Sequence, residues 1–136
     1  MNNLVWTDRL SVGVNDFDEE HKLILIVIDR LFTAYNDGTL VKNIGFIFDE
    51  LIIYVDGHFR HEEDVLRQHS YPKLRDQEIA HVRFASSVVK LKGEWAQGKS
   101  QDTILKLAEL LREWLVEHIN GMDKQYTDYL NSRGIS

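Results

Sequence analysis

The sequence predicts an all-α protein, an antiparallel up-down-up-down four-helix bundle with an N-terminal arm. Apolar residues recur at intervals of three and four through most of the chain, which is the spacing of a buried helical stripe. Strand-like alternation is scarce, and four long segments joined by short turns favour antiparallel neighbours. We predict helices near residues 18–37, 41–67, 73–97 and 101–131, after a leading arm of residues 1–17.

Three clusters of turn-forming residues separate the predicted helices. They are Asn36-Asp37-Gly38, Ser70-Tyr71-Pro72 and Gly98-Lys99-Ser100. No internal repeat, low-complexity tract or linker interrupts the pattern. Because 136 residues with 43% apolar content can build one continuous core, we expect a single domain over residues 1–136.

Composition excludes several classes of function. The formal charge is −6, and the basic residues are scattered among acids instead of forming a stripe, which argues against nucleic-acid binding. The chain has no cysteine, so any metal must be held by nitrogen and oxygen. No secretion signal and no apolar run near the roughly 20 residues of a membrane span is present. We therefore expect a cytoplasmic monomer that engages neither membrane nor nucleic acid.

Each predicted helix carries polar side chains on its apolar stripe. His21 takes a core-facing position near the start of the first helix, and His58 and Glu62 share a face of the second at a spacing of four. His81 lies near the start of the third helix, and His118 past the middle of the fourth. The four stripes are Phe17, His21, Ile24, Ile28, Leu31, Phe32 and Tyr35; Ile47, Leu51, Tyr54, Val55, His58, Glu62 and Val65; Gln77, His81, Phe84, Val88, Leu91 and Trp95; and Ile104, Leu107, Leu111, Trp114, Leu115, His118, Met122 and Asp123.

Antiparallel connection brings these polar positions to one end of the bundle. Four imidazoles and the carboxylates of Glu62 and Asp123, buried together without partners, would each cost on the order of several kcal/mol. Two divalent ions would use all six groups, whereas a single octahedral ion has little reason to recruit carboxylates from two helices. Imidazole and carboxylate ligands suit iron or manganese, and zinc stays open on ligand type alone.

The spacing of His118 and Asp123 conflicts with a regular helix. Five residues correspond to roughly 140° of rotation beyond one turn, so the two side chains would not share a face of an α-helix. A single-turn π-bulge near Asn120-Gly121 would bring them together, and such bulges concentrate at functional sites. We predict one there.

With these residues in place, the sequence resembles bacterial hemerythrins from the Trp6 arm to Tyr126. The matching segments occur jointly, in this order and at these separations, which makes the resemblance specific although each motif alone would be weak. They are Asp18-Glu19-Glu20-His21, His58-Phe59-Arg60-His61-Glu62-Glu63, Tyr71-Pro72 leading to His81, and Trp114-Leu115-Val116-Glu117-His118 leading to Asp123.

The resemblance implies a non-haem di-iron centre that binds dioxygen reversibly, without transferring an oxygen atom to a substrate. It implies that His21 and His58 bind one iron and that His81 and His118 bind the other. Glu62 and Asp123 would bridge the pair, together with an oxo or hydroxo group. The implied cofactors are thus two iron ions, Fe2+ or Fe3+, and the implied partner is dioxygen, in a carrier, storage or sensing role.

One position departs from the family pattern. The family usually supplies a further histidine one turn before the one matched by His81, and this chain has Gln77 there. Three outcomes are open: the Gln77 amide oxygen ligates weakly, a water or a residue such as His69 or Glu78 fills the place, or that iron keeps an open position. An open position would favour a di-iron enzyme acting on peroxide or nitric oxide. A third reading is a structural or regulatory bundle that binds zinc or iron and never engages oxygen.

Residues around the six candidate ligands have more modest expected roles. Leu115 and Trp114 are expected to line the space beside the metals as part of an apolar wall that excludes water. The sequence leaves open whether Tyr126 hydrogen-bonds a ligand carboxylate or packs. The remaining expectations are structural: Trp6 packs the arm across the bundle, Trp95 belongs to the core, His61 and His69 lie at the surface, and Glu63 faces solvent or a neighbouring helix.

Overall fold

The computed structural model describes residues 5–37, 44–98 and 100–136. Its long helices are α1 (Asn15–Asp37), α2 (Ile44–Gln68), α3 (Leu74–Gly98) and α4 (Gln101–Glu113). A π-helical segment (Trp114–Met122), a 3-10 turn (Asp123–Tyr126) and the short α5 (Thr127–Asn131) continue α4. No strand occurs within the described ranges, so the all-α prediction is confirmed. Residues 38–43 and Lys99, which belong to two of the predicted turns and to the predicted start of the second helix, lie outside the described residues.

The four helices form a closed antiparallel ring. Contacts join α1 to α2, α2 to α3, α3 to α4 and α4 back to α1. Pairs along the interfaces show the direction, because residue numbers rise on one helix as they fall on the next. Arg30 pairs with Glu50 across α1 and α2, and His21 contacts His58 across the same interface. The predicted up-down-up-down bundle is therefore confirmed.

Apolar side chains fill the half of the bundle away from the histidines. The spacing of three and four places them on the inner face of each helix, where burial of such side chains contributes about 25 cal/mol per Å². Among the described helices none has the length and apolar character to cross a membrane. The core of this half contains Ile24, Ile28, Leu31 and Phe32 of α1, Ile47, Phe48, Leu51 and Val55 of α2, Phe84, Val88 and Trp95 of α3, and Ile104, Leu107 and Leu111 of α4.

The N-terminal arm lies against the other half. Val12 and Val14 are buried, and Trp6 packs against the core as predicted. The Asp18 carboxylate accepts hydrogen bonds from the Val12 amide (2.8 Å) and the Ser11 hydroxyl (2.6 Å). Helix α1 begins at Asn15, three residues before the predicted start, because the Asp18 amide already donates to the Val14 carbonyl at 2.9 Å.

The predicted fourth helix is only partly right. Residues 101–131 do not form one α-helix, since the π-helical segment covers nine residues instead of a single turn. It does contain Asn120-Gly121, and the Asp123 amide donates to the His118 carbonyl, an i→i+5 bond of π type. This wider winding turns His118 and Asp123 to the same face, as the conflict in spacing predicted.

Candidate metal centre

The six residues predicted as ligands meet in one buried cluster. His21, His58, Glu62, His81 and Asp123 are at most 3% exposed, and His118 is 8% exposed. Three helices and the π-helical segment with the turn after it supply them, so no two neighbouring elements could form the site alone. The antiparallel ring brings them together at the end of the bundle opposite the apolar core.

The first half of the cluster consists of His21 and His58. Their Nε2 atoms lie 3.1 Å apart. Oε2 of Glu62 lies 3.6 Å from Nε2 of His58 and 4.0 Å from Nε2 of His21. Oδ2 of Asp123 lies 3.7 Å from Nε2 of His21. Two imidazole nitrogens and one oxygen of each carboxylate thus surround one point.

The second half consists of His81 and His118. Nε2 of His81 lies 3.0 Å from Oε1 of Glu62, and Nε2 of His118 lies 3.0 Å from Oδ1 of Asp123. These are the carboxylate oxygens that the first half does not use. Glu62 and Asp123 therefore each direct one oxygen to each histidine pair, which is the arrangement of a carboxylate bridge between two cations.

Unsatisfied polar atoms indicate that the cluster fits metal ions. Oε1 of Glu62 and Nε2 of His81 are buried and, despite lying 3.0 Å apart, are not aligned for a hydrogen bond. Two donors of one octahedral ion at about 2.1 Å would be separated by about 3 Å. Donor atoms of His21, His58 and Glu62, and of Glu62, His81 and His118, approach within 4.8 Å of one another. Among the described residues, Nδ1 of His21 is also buried without a hydrogen-bond partner.

Two further carboxylates orient the histidines from outside the cluster. Glu20 accepts a 2.5 Å hydrogen bond from Nδ1 of His58, and Glu63 accepts one of 2.6 Å from Nδ1 of His81. A partner of this kind fixes the ring and its tautomer, leaving Nε2 free to ligate. The role of Glu20 was not predicted from the sequence. Glu63 was expected to face solvent or a neighbouring helix, and it does face α3. The sequence could have indicated both roles, because each acid is adjacent in the chain to a candidate ligand on an apolar stripe.

The surroundings displace the pKa values of three imidazoles. Burial and the neighbouring His58 lower the pKa of His21 to about 3. Burial also opposes the charge on His58, but its hydrogen bond to Glu20 and the attraction of Glu62 outweigh that effect and raise its pKa. His81 behaves likewise, because Glu62 and Glu63 raise its pKa against the effect of burial. The raised pKa values favour protonation of His58 and His81 beside the buried carboxylates.

Tyr126 bonds a candidate ligand. Its hydroxyl donates a 2.9 Å hydrogen bond to Oε2 of Glu62. Burial, followed by the charges of Glu62 and Asp123, raises the pKa of this phenol well above its usual value, so it stays a donor. Of the two roles left open by the sequence, the structure favours the hydrogen bond.

His61 and His69 take no place among the candidate ligands. Nδ1 of His61 lies 2.7 Å from Glu20, and the ring is 40% exposed, consistent with a surface position. His69 is half-buried, and its backbone carbonyl accepts a hydrogen bond from Tyr129. Within the described ranges no hydrogen bond or ion pair joins the His69 side chain to the cluster.

Aromatic rings cover the second histidine pair. Trp114 stacks on His118 with 3.7 Å between ring centroids, and Phe59 stacks on His81 at 3.9 Å. Leu115 is fully buried three residues before His118. An open cavity of about 420 Å³ borders the rings of Trp114 and His118. The covering role of Phe59 was not anticipated, although it stands inside the segment that begins with His58.

Gln77 also belongs to the cluster. The side chain is 1% exposed, and its amide nitrogen donates a 2.9 Å hydrogen bond to Oδ1 of Asp123. Its Oε1 lies 3.1 Å from Nε2 of His118. Glu78, considered as an alternative, is 42% exposed and lies beside Arg67, so it faces away from the cluster.

Comparison with known proteins assigns the chain to a family. The sequence model of the hemerythrin HHE cation binding domain matches residues 12–130. The chain belongs to the hemerythrin family. Among its relatives, a bacteriohemerythrin of Stenotrophomonas maltophilia is 28% identical over 95% of this chain and 82% of its own length. A bacteriohemerythrin of Pseudomonas aeruginosa is 31% identical over 94% of this chain and 82% of its own.

Solved structures show the same fold. The crystal structure of a wild-type hemerythrin superposes on this hemerythrin-family chain with a TM-score of 0.81, at 27% identity. The match covers 93% of this chain and 97% of that one. The crystal structure of a hemerythrin mutant with one leucine replaced by alanine matches with the same TM-score. The recognition of the family from its motifs is therefore confirmed.

Proposed function

We propose that this hemerythrin-family protein binds dioxygen reversibly at a pair of iron ions. His21 and His58 would hold one ion, His81 and His118 would hold the other, and Glu62 and Asp123 would each offer one oxygen to each ion. One observation carries the proposal. In both Glu62 and Asp123, one carboxylate oxygen faces the first histidine pair and the other oxygen faces the second pair. When bound, the iron pair supplies reversible electron transfer with dioxygen.

The protein's own residues keep this centre assembled. Glu20 and Glu63 hold the Nδ1 protons of His58 and His81, so that Nε2 of each ring faces the metal. Tyr126 holds the Glu62 carboxylate in place by donating to Oε2. These bonds fix the donors before the ions arrive, which reduces the reorganisation that binding requires.

Apolar side chains limit the access of water to the second histidine pair. Trp114 and Phe59 lie flat on the second histidine pair, and Leu115, three residues before His118, is fully buried. A dry, apolar surrounding controls the redox behaviour of a metal site and slows the loss of a bound ligand to water. The cavity beside Trp114 and His118 is large enough to admit a diatomic molecule.

Metal analysis and oxygen titration test the proposal. The purified protein, reconstituted with Fe2+ under anaerobic conditions, should contain two irons per chain. Aeration should produce a visible charge-transfer band that disappears on degassing. His58→Gln should lose iron and the band, whereas His69→Gln, which changes a histidine outside the cluster, should retain both.

Other outcomes would identify the competing functions. Steady turnover of peroxide or nitric oxide with a reductant, without a stable oxygenated form, would indicate a di-iron enzyme. Tight binding of zinc, with no response of the iron-loaded protein to oxygen, would indicate a structural or regulatory bundle. Either result would overturn the carrier proposal.

A further inference from the structure

Gln77 places both polar atoms of its amide against candidate ligands. Nε2 lies 2.9 Å from Oδ1 of Asp123, and Oε1 lies 3.1 Å from Nε2 of His118. The side chain is 1% exposed, so water does not compete for either atom. Buried polar groups are almost always hydrogen-bonded, and here both the nitrogen and the oxygen of the amide contact residues of the same cluster. The side chain is therefore part of the site.

The chemistry of Asp123 decides which way the amide faces. An ionised carboxylate only accepts hydrogen bonds, so the amide NH2 must face Asp123. A flipped amide would set its oxygen against a carboxylate oxygen at 2.9 Å, which is repulsive. The Gln77 carbonyl oxygen is therefore directed toward His118, on the side of the ring that faces the cluster.

We propose that Oε1 of Gln77 is a fifth protein donor to the ion held by His81 and His118. This inference rests on the proposed di-iron function. A histidine nitrogen must lose its proton to bind a cation, so Nε2 of His118 then presents a lone pair beside the lone pairs of Oε1. Their separation of 3.1 Å is close to the about 3 Å between adjacent donors of an octahedral ion.

The amide also secures the shared carboxylate. While Oε1 faces the ion, the NH2 group holds Oδ1 of Asp123. Gln77 thus does two things that an imidazole at this position could not do with the same geometry. One ion has five protein donors and the other has four, so the two sites remain unequal. A neutral amide oxygen is a harder donor than imidazole and less suited to iron. This ion should therefore exchange more easily than it would with a histidine at position 77.

Stepwise binding of Fe2+ tests the proposal without relying on oxygen chemistry. The metal-free protein is titrated anaerobically with Fe2+ against a chromophoric chelator, for wild type, Gln77→Ala, Gln77→Asn and Gln77→His. Asparagine keeps an amide but is one methylene too short to reach. Gln101→Ala is the matched control, because Gln101 is a half-buried glutamine at the start of α4, at the opposite end of the bundle.

The expected result is selective. Gln77→Ala and Gln77→Asn should weaken one of the two binding steps by roughly 10–100-fold, the range for loss of a supporting group at a metal site, and leave the other within about threefold. Gln77→His should strengthen the affected step, and Gln101→Ala should change neither. Circular dichroism of each metal-free variant confirms that the bundle is folded.

Three outcomes would contradict the inference. If the alanine and asparagine variants bind both ions as wild type does, Gln77 is not a ligand. If both steps weaken equally, Gln77 acts only by positioning Asp123. Both results leave the di-iron proposal intact as long as wild type takes up two ions. Uptake of fewer than two ions by wild type overturns the proposed function itself and this inference with it.

Discussion

The hydroxyl of Tyr126 donates a 2.9 Å hydrogen bond to Oε2 of Glu62, joining the turn after the π-helical segment to the middle of the candidate centre. Both side chains are fully buried. The bond restrains the carboxylate that faces both histidine pairs, so it connects folding to the geometry of the metal site.

Tyr126→Phe should weaken both folding and metal binding. Loss of a hydrogen bond to a buried charged group should lower the unfolding free energy by about 1.5–3 kcal/mol, measured by denaturant titration. Iron affinity should fall as well, because Glu62 loses its fixed orientation. Tyr129→Phe is the control, since its hydroxyl bonds the carbonyls of His69 and Ser70 instead. Equal iron affinity in the two variants would contradict this role for Tyr126.

Glu20→Ala should reduce iron affinity without removing a ligand. The carboxylate holds Nδ1 of His58, and loss of such a partner costs roughly 10–100-fold in metal affinity. The neighbouring variant Glu19→Ala changes an acid whose side chain is 70% exposed and pairs only with Lys22 in the described structure, so it should bind iron normally. Competition with a chelator measures both. A Glu20→Ala protein with wild-type affinity would show that His58 needs no outer partner.

Iron binding should release protons and weaken as the pH falls. Neighbouring carboxylates raise the pKa values of His58 and His81 against the effect of burial, so the metal-free protein keeps protons on these rings to higher pH than free imidazoles would. Fe2+ must displace them, since only a neutral imidazole ligates. Calorimetric titrations in buffers with different ionisation enthalpies should give different observed heats. Identical heats in every buffer would mean that no proton leaves.

The same shifts predict the pH dependence of metal-free stability. The pKa values of His58 and His81 are higher in the folded state than the value near 6.5 of the unfolded state. Their contribution to folding stability is therefore complete below pH 6.5 and is lost as the pH rises through the folded-state pKa. His21, whose pKa is lowered to about 3, contributes stability above pH 6.5 that is lost as pH falls toward 3. Denaturant titrations of the metal-free protein should therefore show a loss on both sides. Loading with iron should remove the alkaline loss.

Leu115→Ala should shorten the lifetime of the oxygenated protein. The side chain is fully buried, so truncation costs about 2–5 kcal/mol and opens space near His118 for water. Leu107→Ala removes an equally buried leucine two turns earlier, in the apolar half, and should cost similar stability. Spectroscopic decay of the oxygenated form distinguishes them. Equal decay rates in both variants would show that Leu115 does not exclude water from the metal centre.

The packing of the N-terminal arm should require a glycine at position 13. Its φ is +73°, and a β-carbon there would lie 2.5 Å from Cγ2 of Thr127. Gly13→Ala should therefore lower the unfolding free energy by about 1–3 kcal/mol through backbone strain, with the clash adding to it. Gly93→Ala, in an open position within α3, should raise it by about 0.5–1 kcal/mol. Thermal unfolding measures both, and a shift of the same sign in the two variants would contradict the assignment of strain to Gly13.

The sequence by itself determined which residues face inward and at which end of the bundle they meet. Helical periodicity fixes the face of each side chain, and antiparallel order fixes the end, so His21, His58, His81 and His118 could be grouped from spacing and topology alone. The five-residue step from His118 to Asp123 even predicted the π-helical winding, because no regular helix places both residues on one face.

Only the tertiary structure decided how these groups are divided and supported. Periodicity gives no relative height or rotation of neighbouring helices, so it could not assign each oxygen of Glu62 to one histidine pair. Nor could it show Glu20 reaching His58 from another helix, or the Gln77 amide lying between Asp123 and His118. These contacts depend on differences of an ångström or so, which side-chain packing across the bundle sets and residue spacing along one helix does not.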